Sequence, residues 1–182
     1  FMIRVFPALA AAAVLFAGGL AATLPHAPSA LSMAAHAQDA DVDTSSIVEM
    51  VLGEEDATVT MIEYASYTCP HCARFHDGPF KQLKADYIDS GKIKFVYREV
   101  YFDRYGLWAS MVARCGGEMR FFGISDLIYA EQSEWLASGD PAVIADELRT
   151  IGKKAGLDDD ALEACLTEAT KAHTLVARYQ ES

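Results

Sequence analysis

Two cysteines three positions apart, Cys69 and Cys72, enclose Pro70 and His71. Thiols at this spacing can close a small disulfide and reopen it. The apolar run Val59-Thr60-Met61-Ile62-Glu63-Tyr64 precedes them, and a helical pattern from Phe75 to Ile88 follows. Strand, turn and helix in that order set Cys69 at a helix mouth. There the unpaired backbone N–H groups and the positive end of the dipole face the sulfur. A thiolate is favoured in such a place, so the thiol pKa falls. Pro70 suits the first helical position, where no donor is needed. His71 puts an imidazole beside Cys69 that can tune it; the plain alternative is an exposed turn histidine without a role. A pair whose reduced form holds a stabilised thiolate gives its disulfide away readily, which points to oxidation of other thiols. Zinc half-sites share the C-x-x-C spacing. Zinc or copper would need two further ligands. His71 and His76 lie near, whereas Cys115, Cys165 and His173 are distant and in no paired spacing.

The elements that must hold this dithiol are legible around it. Ile47 to Leu52 reads as an outer strand ended by the turn Gly53-Glu54-Glu55-Asp56. Val59 to Tyr64, nearly all apolar, reads as a strand buried on both faces of a mixed sheet. The helix from Pro70 carries Cys72, Phe75, Pro79, Leu83 and Tyr87 on one face, and Gly78-Pro79 predicts a kink or break inside it. Ile93 to Val100 alternates and reads as a strand parallel to Val59–Tyr64. Beyond Asp103 the period becomes helical. Helices are expected over Leu107–Cys115, over Glu118–Tyr129, from Pro141 behind the cap Asp140, after the cap Asp158, and over Thr167–Tyr179.

The segment Glu63-Tyr64-Ala65-Ser66-Tyr67-Thr68-Cys69-Pro70-His71-Cys72 resembles the active-site segment of DsbA-type thiol:disulfide oxidoreductases, and the likeness runs from about Ile47 to Tyr179. The resemblance implies an α/β, thioredoxin-like fold with an inserted helical domain. On that reading 1–37 is a signal peptide and 38–104 the N-terminal part of the thioredoxin-like domain with the CPHC site. Residues 105–166 are then the inserted helical domain and 167–182 the return helix. It also implies a cis-proline loop, a β-hairpin and a final helix, which this sequence stops short of; a fragmentary gene model is the expected reason. By the same resemblance Glu63 falls where the family has a buried acidic residue beneath the dithiol, and Arg98 where it often has a basic partner on the next strand. The two would either help move protons or form only a structural ion pair.

The implied activity is periplasmic. Cys69 forms mixed disulfides with reduced or unfolded secreted proteins, Cys72 resolves them, and a membrane quinone-linked partner reoxidises the pair, with no metal or organic cofactor. The alternatives are a disulfide isomerase or reductase, or a non-catalytic thioredoxin-like module that binds metal or unfolded clients.

Charge and leader bound these readings. The formal net charge is −11, which disfavours nucleic acid and anionic lipid surfaces as partners. Arg4, the alanine-rich run Ala8–Leu24 and the small-x-small step Ala35-His36-Ala37 read as a secretory leader. After its cleavage no stable membrane insertion is expected, and the rest reaches a compartment where disulfides persist. Cys115 and Cys165 are therefore either two buried apolar fillers or a structural disulfide worth up to about 4 kcal/mol. Trp108, Trp135, Tyr97, Tyr101 and Tyr105, with Phe121-Phe122, line a client surface or belong to the core.

Overall fold

The computed structural model describes residues 42–182. The expected signal peptide, 1–37, and the start of the polar lead-in lie outside the described residues. Three strands form one sheet: β1 (Met50–Leu52), β2 (Val59–Ala65) and β3 (Ile93–Glu99), in the order β1-β3-β2. β3 is the middle strand, antiparallel to β1 and parallel to β2 as its alternation predicts.

Parity along the strands sorts the side chains. Met61, Glu63 and Ala65 align with Phe95, Tyr97 and Glu99, while Ile62 and Tyr64 align with Val96 and Arg98 on the opposite face. The first face is covered by helices and holds the buried Phe95, Tyr97 and Glu99. On the second face, Ile62 and Tyr64 are exposed. The expectation that Val59–Tyr64 is buried on both faces is thus overturned. Among the described residues β2 has one neighbour only, and an edge strand covered on one face cannot bury its alternate side chains.

The helix that follows the dithiol breaks where its sequence predicts. Helix α1 runs Pro70–Asp77 and α2 runs Pro79–Leu83, with Gly78 between them out of helical geometry, at φ −125° and ψ −86°. Proline at position 79 has no N–H to continue the ladder. A π-helical turn, Lys84–Ile88, then leads into β3.

The remaining helices are α3 (Arg104–Cys115), α4 (Glu118–Ala130), α5 (Gln132–Trp135), α6 (Pro141–Lys154), α7 (Asp159–Thr167) and α8 (Ala169–Gln180). Their starts follow the capping chemistry. Asp103 accepts from the N–H groups of Tyr105 and Gly106, Asp140 from Ala142 and Val143, and Asp158 from Ala161. The Asp103 cap starts α3 three residues before the apolar pattern does. The four-residue α5 carries no periodic signal and is not foreseen by the sequence.

Phe121, Ile124, Ile128, Ile144, Leu148, Ile151 and Leu162 from α4, α6 and α7 join Phe95 and Tyr97 of the sheet in one buried cluster. Trp135 and Phe121 are core residues, and Trp108 packs against the core from the side. Cys115 and Cys165 are bonded, joining the end of α3 to α7 with a sequence separation of 50. Closing so long a loop restricts the unfolded chain. Cys115→Ala with Cys165→Ala should therefore lower stability by about 2–4 kcal/mol. The urea midpoint of the double variant measures this, and a parental midpoint would contradict it.

Candidate active site

Cys69 occupies the N-cap of α1 with extended backbone, φ −85° and ψ 117°, and Pro70 takes the first helical position. The turn before it is clamped from three directions. The Cys69 N–H donates to Ser66 O at 3.1 Å. The Thr68 hydroxyl donates to Asp103 at 2.8 Å, which ties the turn to the cap of α3. Gln132, reaching in from α5, donates through Nε2 to the carbonyls of Tyr67, at 2.8 Å, and Cys69, at 3.0 Å. Tyr67 is buried, with its hydroxyl 2.6 Å from that of Ser125 on α4. These bonds settle the backbone carbonyls of an otherwise irregular turn and hold the first sulfur where the helix begins.

The two thiols are free and half-buried, yet their environments differ. Partial burial opposes the Cys69 thiolate. The backbone N–H of Cys72, the Cys72 thiol, the backbone N–H of His71 and the Arg74 guanidinium together outweigh it and bring the Cys69 pKa below its ordinary value. For Cys72, burial dominates. It pushes that thiol up to about 11 against a hydrogen bond from the Ser66 backbone, and the neighbouring Cys69 and Glu63 push the same way. The outer sulfur is built to carry charge and the inner one to stay protonated.

That asymmetry has a pH signature. The Cys69 contribution to the stability of the reduced protein is complete above the ordinary thiol value and is lost as pH falls through the lowered one. The Cys72 contribution is complete below the ordinary value and is lost as pH rises to about 11. Iodoacetamide near neutral pH should label Cys69 and spare Cys72, whose labelling climbs only toward pH 11. Equal labelling of both at pH 7, read by peptide mass, would contradict the asymmetry.

The other residues singled out by sequence are redistributed. The exposed His71 does not meet Cys69 through its ring; its Nδ1 lies 2.7 Å from the Arg74 guanidinium and accepts from it. Arg74 is the charge that favours the Cys69 thiolate, and His71 adds its backbone N–H. The expected pairing of Glu63 with Arg98 is corrected. Arg98 lies on the opposite face of the sheet, where it donates to Glu49 at 3.1–3.3 Å and to the Tyr64 hydroxyl at 3.1 Å. Glu63 instead meets His76 Nε2, at 3.2 and 3.0 Å from its two oxygens. Sequence reasoning missed Arg74, Gln132 and the pairing role of His76. The four-residue step from Cys72 to His76 on one helix was the available signal for the last, while Gln132 had none.

Among the described residues no group of three His, Cys, Asp or Glu side chains could hold a metal ion, and no helix is long and apolar enough to cross a membrane.

A family model described as Thioredoxin matches residues 45–182. A Rickettsia bellii (strain RML369-C) protein, named by inference a protein-disulfide oxidoreductase, is 37% identical over 130 residues, covering 71% of this chain and 49% of that one. The chain therefore spans about half the length of that relative. Wolbachia pipientis alpha-DsbA1 is similar in structure, with a TM-score of 0.66 and 28% identity, over 73% of this chain and 66% of that one. A protein-disulfide isomerase from Novosphingobium aromaticivorans is similar with a TM-score of 0.67 and 26% identity, over 73% and 78% of the two chains. With these likenesses the three-stranded sheet and its helices are an α/β thioredoxin-like fold with an inserted helical subdomain.

Proposed function

The chain belongs to the thioredoxin-fold family of DsbA-like thiol:disulfide oxidoreductases, and on that premise we propose that its Cys69–Cys72 pair donates a disulfide to reduced or unfolded secreted proteins in the periplasm. The observation that carries this reading is the inequality of the two thiols, one lowered and reachable, the other raised to about 11. A client thiolate attacks Cys69 Sγ, the Cys69–Cys72 bond breaks, and Cys72 leaves as a thiolate that takes up a proton. The client's second thiolate then attacks its own sulfur in the mixed disulfide, and Cys69 departs as the stabilised anion. The client loses two electrons and the enzyme pair gains them. Of the two client thiol protons, one stays on Cys72 and one goes to solvent. A membrane quinone-linked partner would return the pair to the disulfide state. Secretion through the leader at 1–37 belongs to the same proposal.

The likeness to a structure described as a protein-disulfide isomerase supports a second reading, in which a partner keeps the pair reduced and it reshuffles client disulfides. Equilibration with glutathione buffers, with thiol state read by alkylation and mass, separates the two. An oxidising potential supports donation. A potential near that of reducing thioredoxins, about −270 mV, would reverse the direction of electron flow. Failure of the pair to exchange with glutathione at all would remove both readings.

A further inference from the structure

Gln132 is 8% exposed, and a glutamine this deep in a core has to be matched, because each unpaired buried amide atom is destabilising. Its Nε2 donates to two backbone carbonyls, Tyr67 O at 2.8 Å and Cys69 O at 3.0 Å. Two acceptors require the nitrogen end of the amide, which fixes the way it points. The Cys69 carbonyl also receives the Ala73 N–H at 3.1 Å, the first bond of α1. It is therefore held twice, once from within its own helix and once from the inserted helical subdomain. Helix α5 carries Gln132 to this place. Trp135, three residues on, is buried and donates through Nε1 to Ile128 O at 2.9 Å. Lys154 of α6 holds Glu131, the residue before, at 2.7 Å. Four helical residues without an apolar period thus form a fixed mount for one amide.

We propose that Gln132 is a positioning residue for the thiol–disulfide reaction: by holding the Cys69 and Tyr67 carbonyls from the helical subdomain, it fixes the Cys69 peptide so that the first sulfur stays aimed at the mouth of α1 as an anion. This deepens the thiol–disulfide reading above and rests on it. The carbonyl belongs to the same residue as the reacting sulfur. Its peptide plane leads into Pro70 and sets the start of α1, and with it the aim of the His71 and Cys72 N–H groups at Sγ. Because Pro70 brings no N–H, that carbonyl is the polar handle by which the plane can be held. Without its donor the carbonyl is free to swing, and the partial negative charge on its oxygen opposes an anion on the same residue. Loss of Gln132 therefore weakens the thiolate, disfavours the reduced form and makes the disulfide harder to give away. A role confined to stability would act on oxidised and reduced forms alike and leave the titration of the sulfur where it is. The titratable groups around Cys69 are Cys72 and Arg74 on its own helix and Asp103, which holds Thr68 beside it from the cap of α3. Gln132 adds no charge to them.

Two measurements on the full chain test this. Thiolate absorbance of the dithiol form, with the disulfide form subtracted, gives the Cys69 titration midpoint. Gln132→Met leaves both carbonyls dry and should reduce the acid dissociation constant of Cys69 by about three- to tenfold. Gln132→Ala lets water reach the carbonyls and should act in the same direction by less; it decides the matter if Gln132→Met does not fold. Cys115→Ala with Cys165→Ala loses stability elsewhere and should keep the parental midpoint, and urea midpoints show that each variant is folded. The second measurement is the equilibrium in which the protein disulfide and two glutathione thiols give the protein dithiol and glutathione disulfide. Above both titration midpoints Gln132→Met should shift it toward the protein disulfide by the same factor, tenfold being about 30 mV. Below the parental midpoint, where neither protein holds a thiolate, the difference should vanish. A parental titration midpoint in the folded Gln132 variants overturns the proposal, and so does a glutathione difference that is the same at every pH. Failure to exchange with glutathione at all would instead count against the oxidoreductase reading, and the absorbance titration still decides the role of Gln132.

Discussion

Cys72→Ser should leave the chain locked to its partner: mixed disulfides on Cys69 accumulate and release slows by about 10³-fold or more. Resolution by Cys72 is an attack within one helical turn, and well-oriented intramolecular attacks carry effective molarities of about 10⁵ M and above. A serine hydroxyl has no comparable nucleophilicity toward sulfur, so only external thiol at millimolar concentration remains to free the adduct. Cys69→Ser should show the opposite phenotype, with no adduct at all. Its Cys72 loses the Cys69 contribution but keeps the partial burial and the nearby Glu63 that raise its thiol, and so presents little thiolate at neutral pH. Non-reducing electrophoresis of both variants after mixing with a disulfide-bearing peptide measures this. Equal adduct formation through Cys69 and Cys72 would contradict the assigned roles.

Arg114→Ala should destabilise the fold by about 3–5 kcal/mol. Arg114 and Glu99 are both buried and meet through two contacts, Nε to Oε1 at 2.5 Å and a terminal nitrogen to Oε2 at 2.7 Å. The guanidinium also donates to Val48 O at 3.0 Å, and the Ser110 hydroxyl donates to Glu99 at 2.9 Å. One side chain thereby joins α3, the middle strand and the segment leading into β1. Its loss leaves a carboxylate in the core with one hydroxyl for company and frees a backbone carbonyl. Changing both partners, as Arg114→Met with Glu99→Leu, should recover most of the loss, because neither charge is then left buried alone. Urea midpoints report the effect, and a shift below about 1 kcal/mol for Arg114→Ala would refute it.

How far the site could be read in advance depended on the range of the interactions. Pro70 after Cys69, the break at Gly78-Pro79, and the caps Asp103, Asp140 and Asp158 act within a few residues, and the helices start or stop where those residues stand. Cys115 and Cys165 could be seen as a candidate pair, but only the packing of α7 against α3 brought their Cα atoms to 5.9 Å. The Glu63–Arg98 expectation failed for a one-residue reason. Strand parity sets Tyr97, not Arg98, across from Glu63, so the arginine projects to the other face.

The sequence by itself determined where the chemistry would sit: a dithiol at a helix start after a strand, and thus which sulfur we propose as the nucleophile. Tertiary structure alone decided what surrounds that dithiol. Gln132 on the Cys69 carbonyl, His76 on Glu63 and Arg114 on Glu99 are joined across 63, 13 and 15 positions. The reason is physical. Backbone propensity and capping are settled by neighbours in the chain, whereas the partner of a buried charge is chosen by whichever element the core packs against it.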